Sequence, residues 1–168
     1  YDKALKIFLA LISYADTRSH TDFRAWVYMN IGLTYYYKKE YNKSNEKFKI
    51  AYDITNKIGM LNEVLWSLSW LILSGIKTNE LDQSENLNFI HEKIDQSWLK
   101  DIDYPEVNYV LLTIYLELQN SVKSKLHLDN AYKKLIEISK TIKNKEYKDS
   151  FLRARLHNEI VEAWEQKN

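Results

Sequence analysis

Four histidines, His20, His91, His127 and His157, are the side chains best suited to acid–base or metal chemistry. Metal ligation from one helix needs two such ligands three or four positions apart, so that both leave the same face. No two of the four are so spaced. His91 falls in a column of positions that is otherwise apolar, so a packed or partly buried imidazole is expected there. With no cysteine there is no thiolate zinc site, no disulfide and no cysteine nucleophile, a composition that fits a reducing, cytoplasmic setting. Gly32, Gly59 and Gly75 are scattered and form no phosphate-cradling loop. Carboxylates such as Glu85, Glu92 and Asp95 read as a solvated face. No strained nucleophile turn singles out a serine. The expectation is a non-enzyme with no cofactor and no metal site.

Charge narrows the partners. Lys and Arg total 24 against 23 acidic residues, a net charge of +1, which exerts no global pull on nucleic acid or anionic lipid. Lys133, Lys134, Lys140, Lys143, Lys145 and Lys148 cluster late, followed by Arg153 and Arg155, but Glu137, Glu146 and Asp149 dilute them. The longest apolar stretch, Val64 to Ile76, is broken by Ser67, Ser69 and Ser74 and is too short and polar to cross a bilayer. Neither nucleic acid nor membrane is an expected partner. The aromatic load points to a protein or peptide instead: 13 Tyr, 5 Trp and 5 Phe offer large contact area with few rotatable bonds.

Those side chains must be carried by helices. Hydrophobic residues make up 45%, yet there are only three Gly and one Pro, too few tight-turn residues for a β-rich chain. Apolar periodicity predicts helices near 2–15, 21–38, 41–57, 60–77, 81–97, 104–119, 121–141 and 145–166, the last breaking near Arg155. Asp103 ahead of Tyr104-Pro105 is a candidate N-cap, and Thr21 or Asp22 could cap the second helix. Turns are expected at Ile76 to Asn79 and at Lys38 to Glu40.

A repeat of about forty residues runs through these helices. Tyr1, Ala4, Phe8 and Leu11 return as Tyr41, Ser44, Phe48 and Ala51, then weakened as Leu81, Ser84, Asn88 and His91, and finally as Ser121, Ser124, Leu128 and Ala131. The preceding helices align as Tyr28, Ile31, Gly32 and Tyr35, then Leu68, Leu71, Ile72 and Gly75, then Asn108, Leu111, Leu112 and Tyr115, with Asn108 breaking a large apolar column. Small residues let a neighbouring helix approach, and aromatics beside them fill the space. In the middle repeat the buried stripe is expected to shift to Leu87, Ile90 and Ile94.

The stretch Tyr28-Met-Asn-Ile-Gly-Leu-Thr-Tyr35, with Tyr41, Ser44, Phe48 and Ala51, resembles the tetratricopeptide repeat signature. The resemblance covers residues 24–57 well, 104–138 in part and 60–96 least. It implies an all-α, right-handed α-solenoid of antiparallel helix hairpins, about eight helices with a C-terminal capping helix. The chain then forms one repeat domain over 1–168, in pieces near 1–17, 21–57, 60–97 and 104–141, closed by 145–166. The first helix of each pair would line a concave surface. There Trp26, Met29, Asn30, Leu33, Tyr36 and Tyr37 would face a partner, suited to an apolar or helical segment because Met29 and Leu33 replace the family's carboxylate clamp. Ala131-Tyr132, the segment Ile142 to Leu152, and Asn158-Glu-Ile160 with Trp164 are similar to C-terminal repeat regions of large bacterial signalling proteins. That similarity, with Tyr rather than Met at position 1, implies a piece of a longer chain that regulates or scaffolds an upstream signalling domain. The alternative is a peptide-sensing helical-repeat domain of a bacterial transcription regulator. Homodimerisation through an exposed end face is left open.

Overall fold

The computed structural model describes residues 1–18, 20–79, 84–95 and 105–167. Every regular element among them is a helix: α1 Asp2–Arg18, α2 Thr21–Tyr37, α3 Tyr41–Ile58, α4 Leu61–Lys77, α5 Ser84–Asp95, α6 Pro105–Glu117, α7 Ser121–Thr141, α8 Lys145–Arg153 and α9 Arg155–Glu165. The chain divides into two compact units, Tyr1–Gln96 and Ser97–Asn168. The expected all-α class holds, and the helix expected over 145–166 is two helices hinged at Ala154. The cap expected at Asp103 and the apolar side chain of Ile94 lie outside the described residues. Neither Thr21 nor Asp22 caps α2, because His20 occupies the N-cap position and offers no side-chain bond. Asp22 instead sits in the first turn, where a carboxylate favours the helix dipole.

In the first unit, neighbours in sequence pack side by side: α1 on α2, α2 on α3, α3 on α4 and α4 on α5. Tyr1 and Asp2 at the start of α1 meet Tyr37 and Lys38 at the end of α2, so those two helices run in opposite directions. Gly32 explains the close fit of α2 on α3. A Cβ there would stand 3.1 Å from the Phe48 ring, and the Ser44 hydroxyl donates to the Gly32 carbonyl at 2.9 Å. Ser44, Phe48 and Ala51 are wholly buried, as packing of a small–large–small stripe requires.

The most buried helix is α4, which explains why its sequence carries serines amid apolar residues. Ser67, Ser69 and Ser74 are fully buried, and each hydroxyl donates back to its own helix, to Glu63 O at 2.7 Å, Trp66 O at 2.9 Å and Trp70 O at 2.9 Å. Small side chains that satisfy themselves add little bulk and leave no buried donor unpaired. In the next helix, α5, Ile90 is fully buried, Leu87 and His91 are half-buried and Asn88 is exposed.

In the second unit α6 packs on α7 and α9, and α7 also touches α8 and α9. Ala131, Leu135 and Ile160 form a buried cluster against which Tyr109, Tyr132, Phe151, Leu152 and Val161 pack. Two Asn side chains start helices here. Asn120 accepts from the Lys123 backbone N–H and Asn144 from that of Tyr147, both at 3.0 Å, the usual N-cap geometry.

The repeat is also written in the backbone. Lys39, Asn79 and Gln119 are the non-glycine residues with positive φ, at 62°, 61° and 55° among the described residues, an interval of forty each time. They follow the ends of α2, α4 and α6, at Tyr37, Lys77 and Glu117, which keep the same interval. Around two of them the hydrogen bonds match as well. Glu40 N–H donates to Tyr35 O and Asn120 N–H to Tyr115 O, at 3.0 and 2.8 Å, closing each helix with a left-handed residue as a Schellman-type stop does.

Candidate interaction surface

Helical rotation sorts the six residues expected to face a partner into two stripes. Trp26, Asn30, Leu33 and Tyr37 follow spacings of four, three and four, so they share one face of α2. Met29 and Tyr36 lie further round the helix, Met29 buried and Tyr36 half-buried like Asn30, Leu33 and Tyr37. Met29 is 5% exposed and belongs to the core, which removes it from any contact surface. Tyr36 packs edge-on against Trp70 of α4, with ring centroids 4.9 Å apart. Met29 could not be told from its neighbours in sequence, because the direction of α4 relative to α2 is a tertiary fact.

The stripe of Trp26, Asn30, Leu33 and Tyr37 lies along the seam of α1 and α2, and only Trp26 in it is exposed. Trp26 is 47% exposed. One side of its indole stacks on Phe23 at 5.8 Å and Phe8 of α1 meets it edge-on at 6.0 Å. Asn30 donates its amide to Trp26 O at 2.8 Å, holding that turn, and Leu33 is half-buried. At the far end Tyr37 stacks on Tyr1 at 6.3 Å. Beyond it Lys38 bonds Asp2 and Glu40, and Lys43 also bonds Glu40. In these exposed pairs the Lys38 hydrogen bond holds the Asp2 carboxyl below its ordinary range, and the Asp2 bond holds the Lys38 ammonium above its own.

Behind the stripe is an aromatic stack that gives it a rigid floor. Trp70 stacks on Phe48 at 5.8 Å and meets Trp66 edge-on at 6.2 Å, while Tyr41 meets Tyr36 at 5.4 Å. The residues come from α2, α3 and α4, and offset or edge-on pairs add to what their area already contributes. Trp66 and Trp70 were not among the expected site residues. Their signal in the sequence is a pair four apart on α4, on the side facing Phe48.

The second unit brings together polar groups that lie far apart in sequence. Asn108 of α6 and His127 of α7 meet at 3.0 Å through Oδ1 and Nδ1, and His127 also stacks on Tyr115 at 5.5 Å. Asn108, the residue that breaks its apolar column, therefore has a specific polar partner. Glu106 of α6 and His157 of α9 meet at 2.7 Å, beside a recess of about 460 Å³ lined also by Pro105, Lys134, Thr141 and Phe151. Among the described residues no group of three or more His, Asp or Glu side chains could hold a metal ion. No described helix is long and apolar enough to cross a membrane.

Comparison with known proteins leaves the chain by itself: no family model, no curated protein and no solved structure matches it.

Proposed function

We propose that this chain is a non-catalytic interaction module, a tetratricopeptide-like repeat array that holds an apolar or helical segment of a partner protein. The observation that carries the reading is the forty-residue recurrence of the left-handed helix stops at Lys39, Asn79 and Gln119. Repeated turns at a fixed interval belong to arrays in which each unit stacks on the next. The interval exceeds the roughly 34 residues of the tetratricopeptide unit, and helices of 17 and 18 residues account for the surplus. In this reading the array is a right-handed solenoid, and it scaffolds or regulates a signalling domain of the same longer protein.

Support for the contact face comes from Trp26, whose half-exposed indole is held in place by Phe8 and Phe23. Tryptophan prepositioned this way loses little freedom on binding, and such residues dominate interface energetics. The test compares the intact chain with Trp26→Ala as baits against a cell extract. A bound protein lost from the variant, with the variant's melting temperature near that of wild type, supports the module. Equal loss of binding and of stability assigns Trp26 to the fold, and recovery of nothing by either bait leaves the array as a spacer.

A further inference from the structure

The His157 ring is held between two hydrogen-bond acceptors. Its Nε2 lies 2.7 Å from Glu106 Oε1 and its Nδ1 lies 2.7 Å from the Phe151 carbonyl. A carbonyl and an ionised carboxylate can only accept, and a neutral imidazole has a single N–H. The neutral ring must therefore turn a lone pair toward one of them, whereas the doubly protonated ring donates to both. Glu106 shares the dependence, because its Oε2 is buried with no hydrogen-bond partner among the described residues. The Phe151 ring completes the setting, tilted by 51° with its centroid 4.3 Å from the imidazole, an arrangement that favours a cation.

The place of this triad in the fold gives it leverage. Ala154 ends α8 and begins α9 in an extended conformation, φ −55° and ψ 139°. His157 stands beyond that hinge and reaches back across it to a carbonyl in the last turn of α8, while its other nitrogen ties it to α6. Helix α8 has no buried residue of its own, and only Phe151 and Leu152 pack partly on the core cluster. Helix α9 is anchored separately by buried Ile160 and by Trp164 stacked on Tyr132 at 4.5 Å.

We propose that His157 is a proton-operated latch: the doubly protonated ring clasps α8 and α9 to α6, and loss of one proton frees α8 while α9 stays docked. Release would widen the recess lined by α6, α7, α8 and α9, where Ile138 and Thr141 form part of the α7 wall. Charged side chains surround the ring on the helices packed against it. From α6 comes Glu106, and from α7 come Lys134 and Glu137, which share the recess and pair with each other at 3.6 Å. On α9 Arg155 and Glu159 pair at 3.0 Å, and Arg153 at the end of α8 is exposed. The paired charges of α7 and α9 oppose one another, which leaves Glu106 as the controlling group among the described residues. Burial disfavours the imidazolium, but the Glu106 bond, the Phe151 bond and the Glu106 charge outweigh it and raise its pKa above the ordinary 6.5. A raised folded pKa means that the clasp is complete below the unfolded value and is lost as pH rises through the folded one.

The experiment follows the full chain by hydrogen exchange and histidine NMR between about pH 5.5 and about pH 9, the window in which a perturbed histidine titrates. Rates are corrected for the base catalysis of exchange itself, and His157→Gln assigns the resonance. Protection of residues 145–153 is expected to fall several-fold as His157 loses its proton, with 105–117 unaffected. Glu106→Gln preserves the shape, and should move the NMR midpoint and the exchange midpoint down together. Flat α8 protection across the His157 titration would overturn the latch, as would a His157 midpoint below that of an ordinary histidine.

Discussion

Single residues decide how closely the helices meet. Gly32 faces the Phe48 ring with 3.1 Å available to a Cβ, and Phe48 is itself locked by Trp66 and Trp70. Those two indoles oppose any shift of the ring that would admit a larger side chain. Gly32→Leu is expected to destabilise the chain by roughly 1–3 kcal/mol through overpacking, read as a lower denaturation midpoint. A melting temperature equal to wild type would mean that α2 and α3 meet elsewhere. The periodic spacing made Gly32, Ser44 and Phe48 legible as a contact. The hydroxyl bond from Ser44 to the Gly32 carbonyl was not legible, since a serine at a small position looks the same whether or not it finds an acceptor.

At the scale of elements, the helices end where a residue enters the left-handed region. An L side chain there costs about 1–2 kcal/mol relative to its relaxed conformation, and glycine removes most of that strain while adding chain entropy. Gln119 is exposed and has φ 55°. Gln119→Gly is therefore expected to stabilise by roughly 0.5–1 kcal/mol, checked by a higher denaturation midpoint with an unchanged slope. Gly59 already occupies such a position after α3, with φ 74°. The contrast explains why one stop is marked by glycine in the sequence, whereas the repeated stops at Lys39, Asn79 and Gln119 are not.

Over the whole molecule, charge is close to balanced. The chain carries a net charge of +1 and has a pI near 8.0, so its self-repulsion vanishes slightly above neutrality. Colloidal association is expected to peak near the pI and to fall on either side, which light scattering across pH at fixed concentration would reveal. A solubility minimum displaced well away from the pI would point to attraction between apolar faces. Val122 and Leu126 of α7 are 79% and 54% exposed, so such faces exist.

The sequence by itself determined the helical class, the bounds of most helices and the forty-residue interval. Each of these rests on local order: apolar periodicity, the scarcity of Gly and Pro, and small residues recurring beside large ones. Tertiary structure decided what lies between elements. It turned Met29 into the core and left Trp26 half-exposed, although both sit on one short stretch of α2 and are alike in hydrophobicity. It also joined Asn108 to His127 and Glu106 to His157, the second pair 51 positions apart. Periodicity fixes which residues share a helix face, but only the packing of one helix on another fixes what that face meets.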